Sequence, residues 1–185
     1  DKYSTNTKPE DAWLSRGVSQ VRSVLGFPGA LLPSKRLHLI VLVGFEHERA
    51  KAVIEEFEPS ALSLGLGEQS ESVSDGHFAN NQRFFEDVHK FVERRASLGV
   101  AVNTFSFSCV DPLATKGAVL KEAKRFPEFN TVVCPMNTKL STLGVALAAR
   151  DDQRLQVSYA RAIEYNEAGY SSASDQVRIF KTRFA

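Results

Sequence analysis

Residues 37–43 read Leu-His-Leu-Ile-Val-Leu-Val, an almost unbroken apolar run that stops at Gly44. A strand covered on both faces reads this way, whereas a half-exposed strand alternates. The period then changes, because Ala50, Val53, Ile54 and Phe57 recur at helical spacing. Pro59 ends that helix, and residues 61–66 (ALSLGL) supply a second short strand. Strand, amphipathic helix and strand in this order form the unit of a parallel sheet, since parallel neighbours need a crossover.

The unit repeats along the chain. Residues 67–76 (GEQSESVSDG) are polar and rich in breakers, which predicts a loop. A long amphipathic helix is expected over 80–98, with Phe84, Phe85, Val88, Phe91 and Val92 inward and Gly99 closing it. A third strand is expected over 100–109. Asp111 and Pro112 make an N-cap and N1 pair for a helix through Lys124. A fourth strand over 130–134 and an alanine- and leucine-rich helix over 138–149 follow. Two last strands, 155–159 and 177–180, are joined by a loop at 164–175. No helix separates them, so the final one is expected antiparallel at an edge.

Before this regular region, Pro9, Glu10 and Asp11 have the composition of a helix start. Trp13, Leu14, Val18, Val21 and Leu25 continue at helical spacing until residues 26–29 (GFPG). The sequence therefore predicts a helical N-terminal extension over 1–34. After it comes an α/β domain over 35–185, a Rossmann-like, doubly wound, mostly parallel sheet of about six strands.

Composition narrows the function classes. Acidic and basic residues nearly cancel, leaving a formal charge of +1 in 185 residues. A protein whose main task is gripping a nucleic-acid backbone shows a basic excess or stripe, so that class is disfavoured. No apolar run approaches the roughly 20 residues needed to span a bilayer, which predicts a cytoplasmic protein without membrane contact. Cys109 and Cys134 end apolar strand-like runs and belong to no CxxC pair, so they read as buried thiols. No cofactor or metal is expected. The chain begins at Asp1 and its only methionine is Met136, which fits a trimmed chain, a processed product or one domain of a longer polypeptide, the last with an effector domain beside it.

In an open, doubly wound sheet, ligands bind beyond the carboxyl ends of the strands, where the strand order reverses. With 37–43 central, that crevice is framed by two loops. One holds Gly44, Phe45, Glu46, His47, Glu48 and Arg49; the other holds Pro135, Met136, Asn137, Thr138 and Lys139. Asn137 or Thr138 can cap the helix that follows, whose first-turn N–H groups can receive an anion. Lys139, Ser141 and Thr142 add a positive charge and two hydroxyls, a set that suits a phosphate. The competing reading is an ordinary cap followed by a solvated lysine, and Gly144, Ala146, Ala148 and Ala149 read as packing residues.

Glu46 or Arg49 is expected to face the crevice, although acidic residues at a helix start also stabilise it by roughly 0.3–1 kcal/mol through its dipole. Ser106 lies after the third strand on the same rim, and Tyr165 after the fifth could stack on a base. GxGxxG, Walker A, GxSxG and HExxH patterns are absent, and the four histidines are dispersed. His38 reads as a core residue.

Residues 131–149 (TVVCPMNTKLSTLGVALAA) resemble the fourth strand and following helix of the CARF family, the CRISPR-associated Rossmann-fold sensor domains, and of the related SAVED domains. The resemblance implies that Asn137, Thr138 and Lys139 contact a cyclic oligonucleotide held across a homodimer, with residues 44–46 supplying the other loop. The chain departs from the commoner family pattern in lacking glycines between the Thr and the Lys. The resulting expectation is a ligand-sensing regulatory domain for a phosphate-bearing small molecule, such as a nucleotide second messenger of an antiviral defence system. Two other classes compete: a phosphoester-cleaving enzyme (nuclease or phosphodiesterase) using the same crevice, and a protein-interaction scaffold.

Overall fold

A computed structural model describes residues 14–94, 100–166 and 179–181. Its elements run β1 (Ser15–Pro28), β2 (Leu37–Leu42), α1 (His47–Phe57), β3 (Ala61–Gly67), α2 (Asp75–Glu93), β4 (Ala101–Phe107), α3 (Pro112–Ala123), β5 (Asn130–Pro135), α4 (Lys139–Asp151) and β6 (Leu155–Tyr165). Together the strands form one six-stranded sheet in the order β1-β6-β5-β2-β3-β4. Every neighbouring pair is parallel except β1 with β6. This mixed α/β architecture is consistent with a Rossmann-like fold.

The winding follows from the apolar patterns. From β2 the chain steps outward to β3 and β4, then returns to the other side of β2 for β5 and β6. The run at 37–43 becomes the central strand, with two cores back to back. Leu39, Val41 and Val43 face a cluster that includes Val53 and Ile54 of α1 and Val88 and Val92 of α2. Ile40 and Leu42 face a second cluster with Val119 of α3 and Val145 and Ala148 of α4. Alternation of side chains across a strand thus feeds both layers from one segment. On the second face, Gly144 lets α4 approach α3 closely, since a Cβ there would lie 2.7 Å from the Pro112 carbonyl oxygen and from Thr115 Cβ.

The N-terminal extension differs from the helix predicted over it. Residues 1–13 lie outside the described part, but from Ser15 onward the chain is β1, paired antiparallel with β6 inside the main sheet. Ser15, Val18, Val21, Val24 and Phe27 are the half-buried residues, three apart, which mimics a helical stripe. Two irregularities produce that spacing, one between Val18 and Gln20 and one between Ser23 and Pro28. Extra residues at a bulge reset the alternation. Val18 and Val21 consequently pack into the α1–α2 core, and Val24 and Phe27 into the α3–α4 core. Leu25, expected inward on a helix, is 98% exposed.

Among the described residues the antiparallel edge strand is β1. Residues 177–178 lie outside the described part, and 179–181 carry no regular structure. β6 extends to Tyr165, six residues past its expected end, because β1 pairs along it. Helix α2 starts at Asp75, five residues early, since the Ser74 hydroxyl accepts the His77 N–H as an N-cap. Its expected end at Leu98 and Gly99 falls outside the described residues. As expected, Asp111 caps α3, accepting from Leu113 N at 2.7 Å and Ala114 N at 3.3 Å.

One polar chain crosses the α3 side of the sheet. His38 Nε2 lies 2.7 Å from Ser63 Oγ, which donates to Glu122 Oε1 at 2.8 Å, and Glu122 pairs with Arg125. All but the arginine are buried. An ionised carboxylate only accepts, so the single serine proton goes to Glu122 and His38 must donate through Nε2. Its Nδ1 is then a bare acceptor, with no partner among the described residues. Burial lowers the His38 pKa to about 4, with Glu122 opposing the shift. Cys109 and Cys134 are free and buried, and burial pushes the Cys109 thiol up to about 11. No helix among the described residues is long and apolar enough to cross a membrane.

Candidate functional site

β2 and β5 are neighbours, yet the chain leaves them toward opposite edges of the sheet. Their following loops are joined by short contacts. Met136 N donates to the Leu42 carbonyl at 3.0 Å and Asn137 Nδ2 to the Val43 carbonyl at 2.7 Å. Gly44 is wedged between them, where any Cβ would meet the Met136 carbonyl oxygen and Asn137. Beyond this junction lies a cleft of about 130 Å³, walled by Phe45, Glu46, Arg49, Met136, Asn137 and Lys139 together with Leu14, His77, Pro135, Thr142 and Tyr159.

Not all residues expected at the crevice reach it. Thr138 and Ser141 are buried in the start of α4 and hold it together. Thr138 Oγ1 accepts from Ser141 N at 3.1 Å and donates to the Cys109 carbonyl at 2.7 Å, and Ser141 Oγ donates back to the Thr138 carbonyl. Ser106 is exposed on β4, the far edge strand, away from the cleft. Tyr165 sits at the end of β6, its hydroxyl 2.7 Å from that of Tyr159.

Helix α1 begins differently from α4. Glu46 occupies its N-cap position, but no side chain caps the helix. The Glu46 carboxylate instead accepts from the Ser15 hydroxyl of β1 and pairs with Arg49 at 3.3 Å. An uncapped helix start carries N–H groups without intrahelical partners and favours negative charge. Arg49 is only 6% exposed, and its guanidinium lies over the Tyr159 ring, 4.7 Å from the centroid. Its Nε has no hydrogen-bond partner among the described residues. A buried cationic group with an unmet donor is rare in a relaxed core. The anion-favouring features therefore gather at α1, and Lys139 and Thr142 of α4 also line the cleft.

The remaining wall is neutral. His77 is buried, and burial lowers its pKa to about 4. Its Nδ1 lies 3.1 Å from Asn81 Nδ2, which favours the proton on Nε2. The Phe45 ring covers it at 5.6 Å between centroids. Burial and the bond to Tyr165 raise the Tyr159 pKa, with Arg49 partly offsetting them, so the phenol stays protonated at neutral pH. The charge on the cleft wall comes from Glu46, Arg49 and Lys139.

His77 and Tyr159 escape sequence reasoning because neither lies in a loop after β2 or β5. The early start of α2 brings His77 over, and the extension of β6 brings Tyr159. Two weak signals pointed there: the Ser-Asp pair at 74–75, and Tyr159 inside an apolar strand. Among the described residues no group of three His, Cys, Asp or Glu side chains could hold a metal ion. No protein-family model matches the sequence, and no curated protein matches it.

Proposed function

We propose that the cleft between β2 and β5 binds a phosphate-bearing small molecule and that the chain is the sensing part of a regulatory system. One observation carries the reading: Arg49, buried in the cleft wall with an unmet Nε donor, sits in the first turn of a helix that no side chain caps. Guanidinium groups match phosphate oxygens in a planar, two-point geometry. Lys139 lines the same cleft as a second positive charge. The likeness of residues 131–149 to CARF and SAVED domains extends the proposal to a cyclic oligonucleotide bound by a cytoplasmic homodimer in antiviral defence. In such a sensor, binding energy shifts a conformational equilibrium of an attached or partnered effector.

Thermal unfolding in the presence of inorganic pyrophosphate, AMP, cyclic dinucleotides and linear oligonucleotides tests this. A ligand at a hundred times its Kd adds about 2.7 kcal/mol of stability, a clear rise in Tm. Lys139→Ala should weaken the shift and Arg49→Ala should remove it. Absence of a shift with every one of these compounds on the unmodified chain refutes the proposal.

A further inference from the structure

We infer that Glu46 is an internal occupant of this anion site and the latch of a strap formed by the far ends of β1 and β6, an inference that rests on the ligand reading for its regulatory half. The contacts form a closed ring. Ser15 of β1 donates to Glu46, Glu46 pairs with Arg49, and Arg49 lies over Tyr159. Tyr159 meets the Tyr165 hydroxyl, and Tyr165 is the ladder partner of Ser15. Asn166 N donates to the Leu14 carbonyl at 2.9 Å, and Leu14 itself lines the cleft. Two strand ends thus lie at the cleft mouth, fastened to α1 by one carboxylate.

That carboxylate stands where a ligand anion would bind. It pairs with the arginine while leaving the helix start uncapped, although an N-cap position ordinarily serves the backbone. A phosphate has more acceptor oxygens and more charge than a carboxylate, so it can take Arg49 and the free helix N–H groups together. Glu46 then loses its cation, and the hydroxyl of Ser15 alone does not hold it. Occupancy of the cleft is reported to the edge of the sheet as release of the β1–β6 ends. Both states share the same cores, so the change stays local.

Amide hydrogen exchange on the full chain tests the latch without any ligand. In Glu46→Gln the Asn166 amide and the ladder amides at 15–18 and 162–165 should exchange about tenfold faster, as loss of roughly one charge-assisted contact gives. Amides of β2 and β5 should keep their rates. Unchanged exchange at the strand ends overturns the latch and leaves the ligand reading standing. Ser15→Ala severs the other arm and should give the same local pattern, which guards against a folding defect in the first variant.

Inorganic pyrophosphate then tests the coupling. It should speed the same amides in the unmodified chain and bind Glu46→Gln about tenfold more tightly. Equal affinity for both proteins with undisturbed strand ends overturns the coupling alone. Failure of pyrophosphate to bind either protein overturns the coupling together with the ligand reading, while the ligand-free exchange rates still decide the latch.

Discussion

A Cβ atom on Gly44 would lie 2.5 Å from the carbonyl oxygen of Met136, so the two loops framing the cleft touch through a residue without a side chain. Gly44→Ala must push these backbones apart. Overpacking of this kind costs about 1–3 kcal/mol, and here it also strains the Asn137–Val43 hydrogen bond. Chemical denaturation should show a lowered midpoint with an unchanged slope. Wild-type stability in the variant would mean the loops part freely.

Acid should weaken the fold through His38 and His77. Burial lowers both pKa values from 6.5 to about 4. As pH falls, the unfolded chain takes these protons before the folded one does. The stability they contribute is therefore present above pH 6.5 and is lost progressively down to about pH 4. Each group accounts for on the order of 3 kcal/mol over that window. Urea midpoints at pH 7, 5.5 and 4.5 should fall in step, and His77→Asn should flatten the trend. A pH-independent midpoint would contradict the buried neutral state of both rings.

Ser63→Ala should destabilise by about 1–3 kcal/mol, because it strands the His38 donor in the interior and leaves Glu122 Oε1 with Arg125 alone. Ser63→Thr keeps the hydroxyl and should lose less if the added methyl is accommodated. Equal losses for both variants would assign the effect to packing.

Gly144→Val should separate α4 from α3, since even its first carbon would stand 2.7 Å from Pro112 O and Thr115 Cβ. A loss of about 1–3 kcal/mol is expected. The cleft is walled by the start of α4, so ligand-induced stabilisation should fall as well. Measuring both in one thermal series separates a general loss from a local one.

Leu25→Gln should change stability by no more than about 0.5 kcal/mol, the usual range for an exposed site. On a helical stripe the same change would remove a core contact and cost several times more. The substitution therefore discriminates directly between β1 and the helix that the spacing of Val18, Val21 and Leu25 predicts.

The central sheet was legible because its strands are buried on both faces and each crossover ends at a turn residue or a cap. Val41 and Ile40 needed no knowledge of distant partners to be placed in a core. β1 was illegible for the opposite reason. Its apolar spacing is set by bulges in β1 where it pairs with β6, and their local trace is Gly17 and Gly26 at positive φ, which the helical spacing of the valines outweighs. In the cleft, Glu46, Arg49, Asn137 and Lys139 followed from topology alone. Thr138 and Ser141 were drawn inward by capping, and His77 and Tyr159 were brought in by elements whose ends depend on tertiary pairing. A hydroxyl near a helix start can serve the backbone or a ligand, and the sequence is the same for either.

The bulged strand has a consequence for how the chain assembles. β1 contributes to the α1–α2 core with one half and to the α3–α4 core with the other, yet its only ladder partner among the described residues is β6. Contacts between residues as distant in sequence as Ser15 and Tyr165 form slowly, since a large loop must close before they reward it. β1 is thus made before every other described strand and is the last of them that can dock. Until β6 emerges, its valines have no companion strand to shelter them. Vulnerability to aggregation should peak just before β6 is made, when β2 to β5 and their helices have collapsed and the apolar residues of β1 and β6 are still missing from both cores.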